Sequence, residues 1–111
     1  MVRRLVVYGS PWCYNCKDVR EALAAWNVPY VDIDITHDGD AAHRVRTWTG
    51  FESVPTLVIA DQDSVEPYTL PEPLAHRASP RGIDRGSMLT EPNRNQLRAW
   101  LSTHGLLEVE C

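Results

Sequence analysis

The chain has 111 residues, 43% of them hydrophobic, which suits one compact domain with a modest core and gives no sign of a second. A net charge of -4 and a pI of about 5.5 leave no global basic surface for nucleic acid. The longest wholly apolar runs are too short to span a membrane, and three cysteines at 13, 16 and 111 do not make a secreted disulfide framework. Arg3-Arg4 followed by apolar residues has the start of a signal peptide, but the stretch stops at Gly9-Ser10-Pro11, so a cytoplasmic location is expected.

Leu5 to Tyr8 is a continuous apolar run rich in β-branched residues and predicts a buried strand. Val19, Ala22, Leu23 and Trp26 recur at helical spacing, with Lys17, Asp18, Arg20 and Glu21 on the other face. Asn27-Val28-Pro29 ends that helix. Tyr30 to Ile35 alternates, with Val31, Ile33 and Ile35 on one side and Asp32 and Asp34 on the other, and predicts a second strand. The three elements form a βαβ unit.

A second helix is expected from about Gly39 to Thr49, capped by Thr36 or Asp38, with Ala41, Val45 and Trp48 inward and Gly50 just beyond its end. Thr56 to Ile59 predicts a buried strand, and Val65 to Leu70 a weaker one. The last helix is expected to start near Thr90 with Glu91 and Pro92 in its first turn, to bury Leu97, Trp100 and Leu101, and to end at Gly105. Between Pro71 and Leu89 there is no periodicity, and a loop that long in so small a domain is usually functional or disordered.

The informative segment is Ser10-Pro11-Trp12-Cys13-Tyr14-Asn15-Cys16-Lys17, where the first strand hands over to the first helix. A structural zinc site needs four ligands, and Cys111, His37, His43, His76 and His104 supply no second knuckle. A structural disulfide would close a very short loop in a reducing compartment. A redox pair fits the placement: a thiol at a helix N-terminus meets unsatisfied backbone N–H groups and the positive end of the helix dipole, and both favour thiolate at Cys13. Lys17 adds a positive charge. Cys16 lies three residues on, within reach. Cys13 is therefore the expected exposed nucleophile, and Cys16 the more buried thiol that resolves the mixed disulfide. Trp12 beside Cys13 is placed to shield the thiolate, to touch substrate or to pack. In Ser53-Val54-Pro55-Thr56, Pro55 either simply begins a strand or follows a cis Val54-Pro55 bond that exposes the Val54 backbone to an extended substrate.

Together these residues resemble the glutaredoxins and their close relatives the mycoredoxins. The resemblance runs from Leu5 to about Ile59, with a compatible final helix, and rests on Val6-Val7-Tyr8, Trp12-Cys13-x-x-Cys16-Lys17, Val31-Asp32-Ile33-Asp34-Ile35 and Thr49-Gly50-x-x-x-Val54-Pro55-Thr56. It implies a single α/β domain over 1–111 with a thioredoxin-like, glutaredoxin-type fold, a four-stranded mixed sheet flanked by about three helices, and a cis Pro55. It also implies thiol–disulfide exchange on protein disulfides or protein–small-thiol mixed disulfides by a monomer. Cys13 and Cys16 are then the catalytic pair, and Trp12, Tyr14, Lys17, Val54 and Pro55 the substrate-binding candidates. No metal or resident cofactor is implied. Glutathione or mycothiol is a co-substrate candidate, and a small thiol or a thioredoxin-reductase-like enzyme the reductant.

The departures from the family pattern are specific. Ser10 stands where many glutaredoxins have Lys, Tyr14-Asn15 replaces Pro-Tyr, and the Gly-Gly turn before the last helix is missing, its place taken by the Pro71–Leu89 loop. They leave the identity of the small thiol open. In the family a basic residue near Arg44 or Arg46 can meet a thiol's carboxylate, though such residues more often belong simply to a solvated face. Arg77, Arg81 and Arg85 make the loop locally basic, and Cys111 reads as an idle terminal thiol. The competing class is an iron–sulfur carrier using Cys13, for which the absence of proline after that cysteine speaks and the presence of Cys16 does not.

Overall fold

The computed structural model describes residues 3–75 and 78–107. The elements run β1 (Arg3–Gly9), α1 (Tyr14–Ala25), β2 (Tyr30–Asp34), α2 (Gly39–Thr49), β3 (Thr56–Asp61), β4 (Met88–Thr90) and α3 (Arg94–Thr103). The strands form one sheet in the order β2-β1-β3-β4. β1 pairs parallel with β2 and antiparallel with β3, and β3 pairs antiparallel with β4, so the sheet is mixed as expected.

β1 reads as an unbroken apolar run because it lies inside the sheet with both faces covered. Leu5 and Val7 point to one side, onto Val19, Ala22 and Leu23 of α1 and Leu97, Trp100 and Leu101 of α3. Val6 and Tyr8 point to the other, onto Ala41, Ala42 and Val45 of α2. Each large side chain fully buried in this way contributes about 1.5–3 kcal/mol.

The helix ends follow from local chemistry. Asp38 accepts the Ala41 N–H at 3.0 Å as the N-cap of α2, which decides between the two expected caps. Gly50 closes α2 in the left-handed region, φ 79, which a Cβ would oppose. Helix α3 begins later than expected. Thr90 is the last residue of β4, and Glu91, at φ 47, does not continue into a helix. The cap is Asn93, in a reciprocal capping box with Gln96.

The fourth strand is not Val65–Leu70, which forms no strand. Its turn at Ser64–Glu66 and the missing N–H of Pro67 break any ladder, and the free edge of β3 is filled by Met88–Thr90. Between Pro71 and Leu89 the described residues are tied down by specific bonds. Arg81 and Asp84 form bridges with Thr90 and Leu89. Gly86 O accepts from Trp100 Nε1 at 2.8 Å, and Ser87 Oγ donates to Thr69 O at 2.8 Å. Arg85 is buried, its Nε donating to Glu72 O and its Nη1 to Trp48 O, both at 2.7 Å. Burial lowers the pKa of this guanidinium, yet it still caps the carbonyl end of α2, where a cation is favoured. Among the described residues no helix is long and apolar enough to cross a membrane.

Candidate active site

The site forms where β1 ends. Gly9-Ser10-Pro11-Trp12 leads out of the sheet, and Cys13 stops in extended geometry as the N-cap of α1, φ -95 and ψ 119. Its carbonyl accepts from Lys17 N at 3.0 Å, opening the helix. Its sulfur accepts the Cys16 backbone N–H at 3.1 Å. A cysteine here does what Ser or Asp does at other caps, so an otherwise orphaned donor points at the sulfur.

Cys13 is half-buried and Cys16 fully buried, and both are free thiols. Burial pushes the Cys16 thiol up to about 12, and its hydrogen bond to Cys13 adds to the effect. Two cysteines three residues apart are thus made unequal, one at the surface and one held protonated inside.

The peptide bond between Val54 and Pro55 is cis. As a thiol, Cys13 donates to Val54 O at 3.5 Å. Pro55 O accepts from Glu91 N at 2.8 Å, and Thr56 Oγ1 donates to Ser53 O at 2.8 Å, which fixes this turn against β4. The structure therefore brings together Cys13, Cys16, Val54 and Pro55. Trp12 and Tyr14 flank Cys13 and are 86% and 90% exposed, so Trp12 is not core packing. Lys17 lies on the solvent side of α1.

Other candidates have different work. Arg44 Nε donates to Tyr8 Oη at 3.3 Å, and its guanidinium lies over the Tyr8 ring. Tyr8 Oη in turn donates to Val65 O, and burial raises its pKa. Arg46 pairs with Glu52 at 3.0 Å and Arg81 with Glu91 at 3.6 Å. His76, Arg77 and Cys111 lie outside the described residues. Among the described residues no group of three or more His, Cys, Asp or Glu side chains is placed to hold a metal ion.

Two residues escaped the sequence reading. Arg20 looks like an ordinary exposed helix residue, but its side chain is only a quarter exposed. It reaches Asp32 Oδ1 through Nε at 3.4 Å and Nη2 at 3.3 Å, and Ser10 O through Nη1 at 3.4 Å. Gly9 looks like a strand stop, yet a Cβ there would lie 3.0 Å from Arg20 Nη2 and 3.2 Å from Cys16 Sγ. Neither contact has a signature in local sequence.

The glutaredoxin family model matches residues 5–64. Two proteins from different strains of Mycobacterium tuberculosis, each named "putative glutaredoxin", are 29% identical to this chain over 98 residues, 87% of this chain and 88% of theirs. An X-ray structure of a structural-genomics target from X. campestris superposes with a TM-score of 0.51 at 23% identity, over 89% of this chain and 96% of that one, a likeness of fold.

Proposed function

The chain belongs to the glutaredoxin family, whose members are thiol–disulfide oxidoreductases, and from that premise we propose a dithiol cycle run by Cys13 and Cys16. Cys13 Sγ attacks a disulfide sulfur and forms a mixed disulfide. Cys16 Sγ then attacks Cys13 Sγ and releases the second thiol. The observation that carries this reading is the asymmetry of the pair. One sulfur sits half-exposed at a helix N-terminus under a backbone N–H, and the other is sealed one turn further on.

Val54 and Pro55 line the approach to Cys13, and an extended segment of substrate runs along the Val54 backbone. Trp12 and Tyr14 offer it apolar surface on either side, and Lys17 a positive charge. The substrates are protein disulfides or mixed disulfides with a small thiol such as glutathione or mycothiol. The reductant is that small thiol or a thioredoxin-reductase-like enzyme. We place the protein in the cytoplasm as a monomer. The cluster-carrying alternative draws no support from the comparisons.

Intact mass after reaction with a small-thiol disulfide tests the cycle. Peptide mapping should find a Cys13–Cys16 disulfide, formed with loss of two hydrogens and without a retained adduct. An adduct retained on Cys13 in the unmodified chain would contradict a resolving role for Cys16.

A further inference from the structure

Resting on the dithiol reading, we propose that Arg20 is a positioning residue for the resolving step: fixed by Asp32 and Ser10, it holds its guanidinium beside Cys16 Sγ and favours the thiolate that attacks the mixed disulfide.

The geometry comes first. Gly9 has no Cβ, and the position a Cβ would take lies 3.0 Å from Arg20 Nη2 and 3.2 Å from Cys16 Sγ. The nitrogen and the sulfur thus border one small space and lie no more than about 6 Å apart, the outer limit at which an opposite charge favours an ionised group. Arg20 is held from two elements, by Asp32 of β2 and by the Ser10 carbonyl beyond β1. The ionisable groups bearing on Cys16 are Cys13 and Arg20, with Asp32 acting through Arg20.

The chemistry needs such a charge. A buried thiol is a poor nucleophile until it loses its proton. In the reduced protein Cys13 adds to the effect of burial by accepting a hydrogen bond from Cys16 and by its charge, while the Ser10 backbone and Arg20 pull the other way. Once the Cys13 sulfur is tied into a mixed disulfide it is no longer an anion; burial still raises the Cys16 pKa, but the pull of Ser10 and Arg20 is no longer countered by the Cys13 charge. Cys16 is therefore more restrained while Cys13 is free than when Cys13 is occupied.

The step balances. The Cys16 thiolate supplies the electron pair for the new Cys13–Cys16 S–S bond. The S–S bond between Cys13 and the substrate sulfur breaks, and its electron pair leaves on that sulfur, which takes up a proton equivalent to the one Cys16 lost. The intramolecular disulfide replaces the mixed one, and no external oxidant enters.

Stopped-flow reaction of the reduced full chain carrying Cys111→Ser, which leaves Cys13 and Cys16 as its two thiols, with 5,5′-dithiobis(2-nitrobenzoate) separates the two steps. The first equivalent of coloured thiol reports attack by Cys13, and the second reports resolution by Cys16. Arg20→Gln should lower the ratio of second-phase to first-phase rate about three- to tenfold at neutral pH. Each unit of pKa removes tenfold of the thiolate, and higher basicity returns about half of that on a logarithmic scale. The pH profile of the second phase should move to higher pH. Arg20→Lys should restore most of the rate, and Gly9→Ala, which wedges a methyl between nitrogen and sulfur, should slow the second phase without removing the charge. An unchanged second-phase rate and profile in folded Arg20→Gln would overturn the proposal. In the same Cys111→Ser background, absence of the first phase, or a second phase that survives Cys16→Ser, would instead overturn the dithiol reading beneath it.

Discussion

The backbone N–H of Cys16 points at Cys13 Sγ from 3.1 Å, so the buried cysteine supplies the donor that the exposed one caps. Because this contact belongs to the main chain, it is kept when the Cys16 side chain is replaced. That separates what Cys16 does as a backbone donor from what it does as a thiol.

The raised Cys16 pKa makes stability depend on pH. Its folded value, about 12, lies above the reference 9.0, so folding holds the proton more tightly. The contribution is fully present below about pH 9 and is lost as pH rises through 12. Denaturant melts of the reduced protein at increasing pH should show a steeper loss than the same melts of Cys16→Ala. Parallel curves would contradict the burial-driven shift.

Arg85 should be a large contributor to stability although it touches none of the proposed catalytic groups. Arg85→Ala leaves the Trp48 and Glu72 carbonyls without their donor and opens space at the end of α2. The expected cost is about 1–3 kcal/mol by chemical denaturation. Arg85→Lys should recover only part of it, since an ammonium lacks the planar fork that reaches two carbonyls.

The start of α3 should be sensitive at two places. Asn93→Ala removes the cap and should cost about 0.5–2 kcal/mol. Gly82→Ala should also destabilise, by about 1 kcal/mol or more, because Gly82 has φ 71 and a Cβ there would come within 2.7 Å of the Gln96 amide. Circular-dichroism melts of the two variants check both, and the double variant should lose less than the sum, since both act through Gln96.

Thiol titration by ultraviolet absorbance should resolve a Cys16 transition in the alkaline range. In Cys13→Ser that transition should fall below its position in the unmodified chain, because the Cys13 bond and charge no longer oppose ionisation. It should stay above the ordinary thiol range, since burial is the larger cause. A transition at its original position would contradict the coupling.

Much of this was legible in sequence, for identifiable reasons. Leu5–Tyr8 and Thr56–Ile59 are apolar because they are central strands, and Val19, Ala22 and Leu23 carry the helical period of a core face. Cys13 and Cys16 sit at a strand-to-helix junction that the pattern of periods locates to within a residue or two. The fourth strand was not legible. Met88–Thr90 is three residues long and gains its place from the open edge of β3, a tertiary fact, while Val65–Leu70 carries more strand-forming residues but also Pro67. The start of α3 was misplaced because Pro92 and Glu91 imitate a first turn, although Asn93-x-x-Gln96 held the capping signal. Arg20 and Gly9 meet across a strand-to-helix turn, and no periodicity reports that contact.

The central claim, that Cys13 is the nucleophile and Cys16 the resolving thiol, is tested most directly by trapping the intermediate in Cys16→Ser. After incubation with disulfides of several small thiols, intact mass and peptide mapping should show one stable mixed disulfide on Cys13. The preferred thiol then identifies the co-substrate. No adduct on Cys13, while that thiol still alkylates at neutral pH, or an adduct confined to Cys111, would contradict the account.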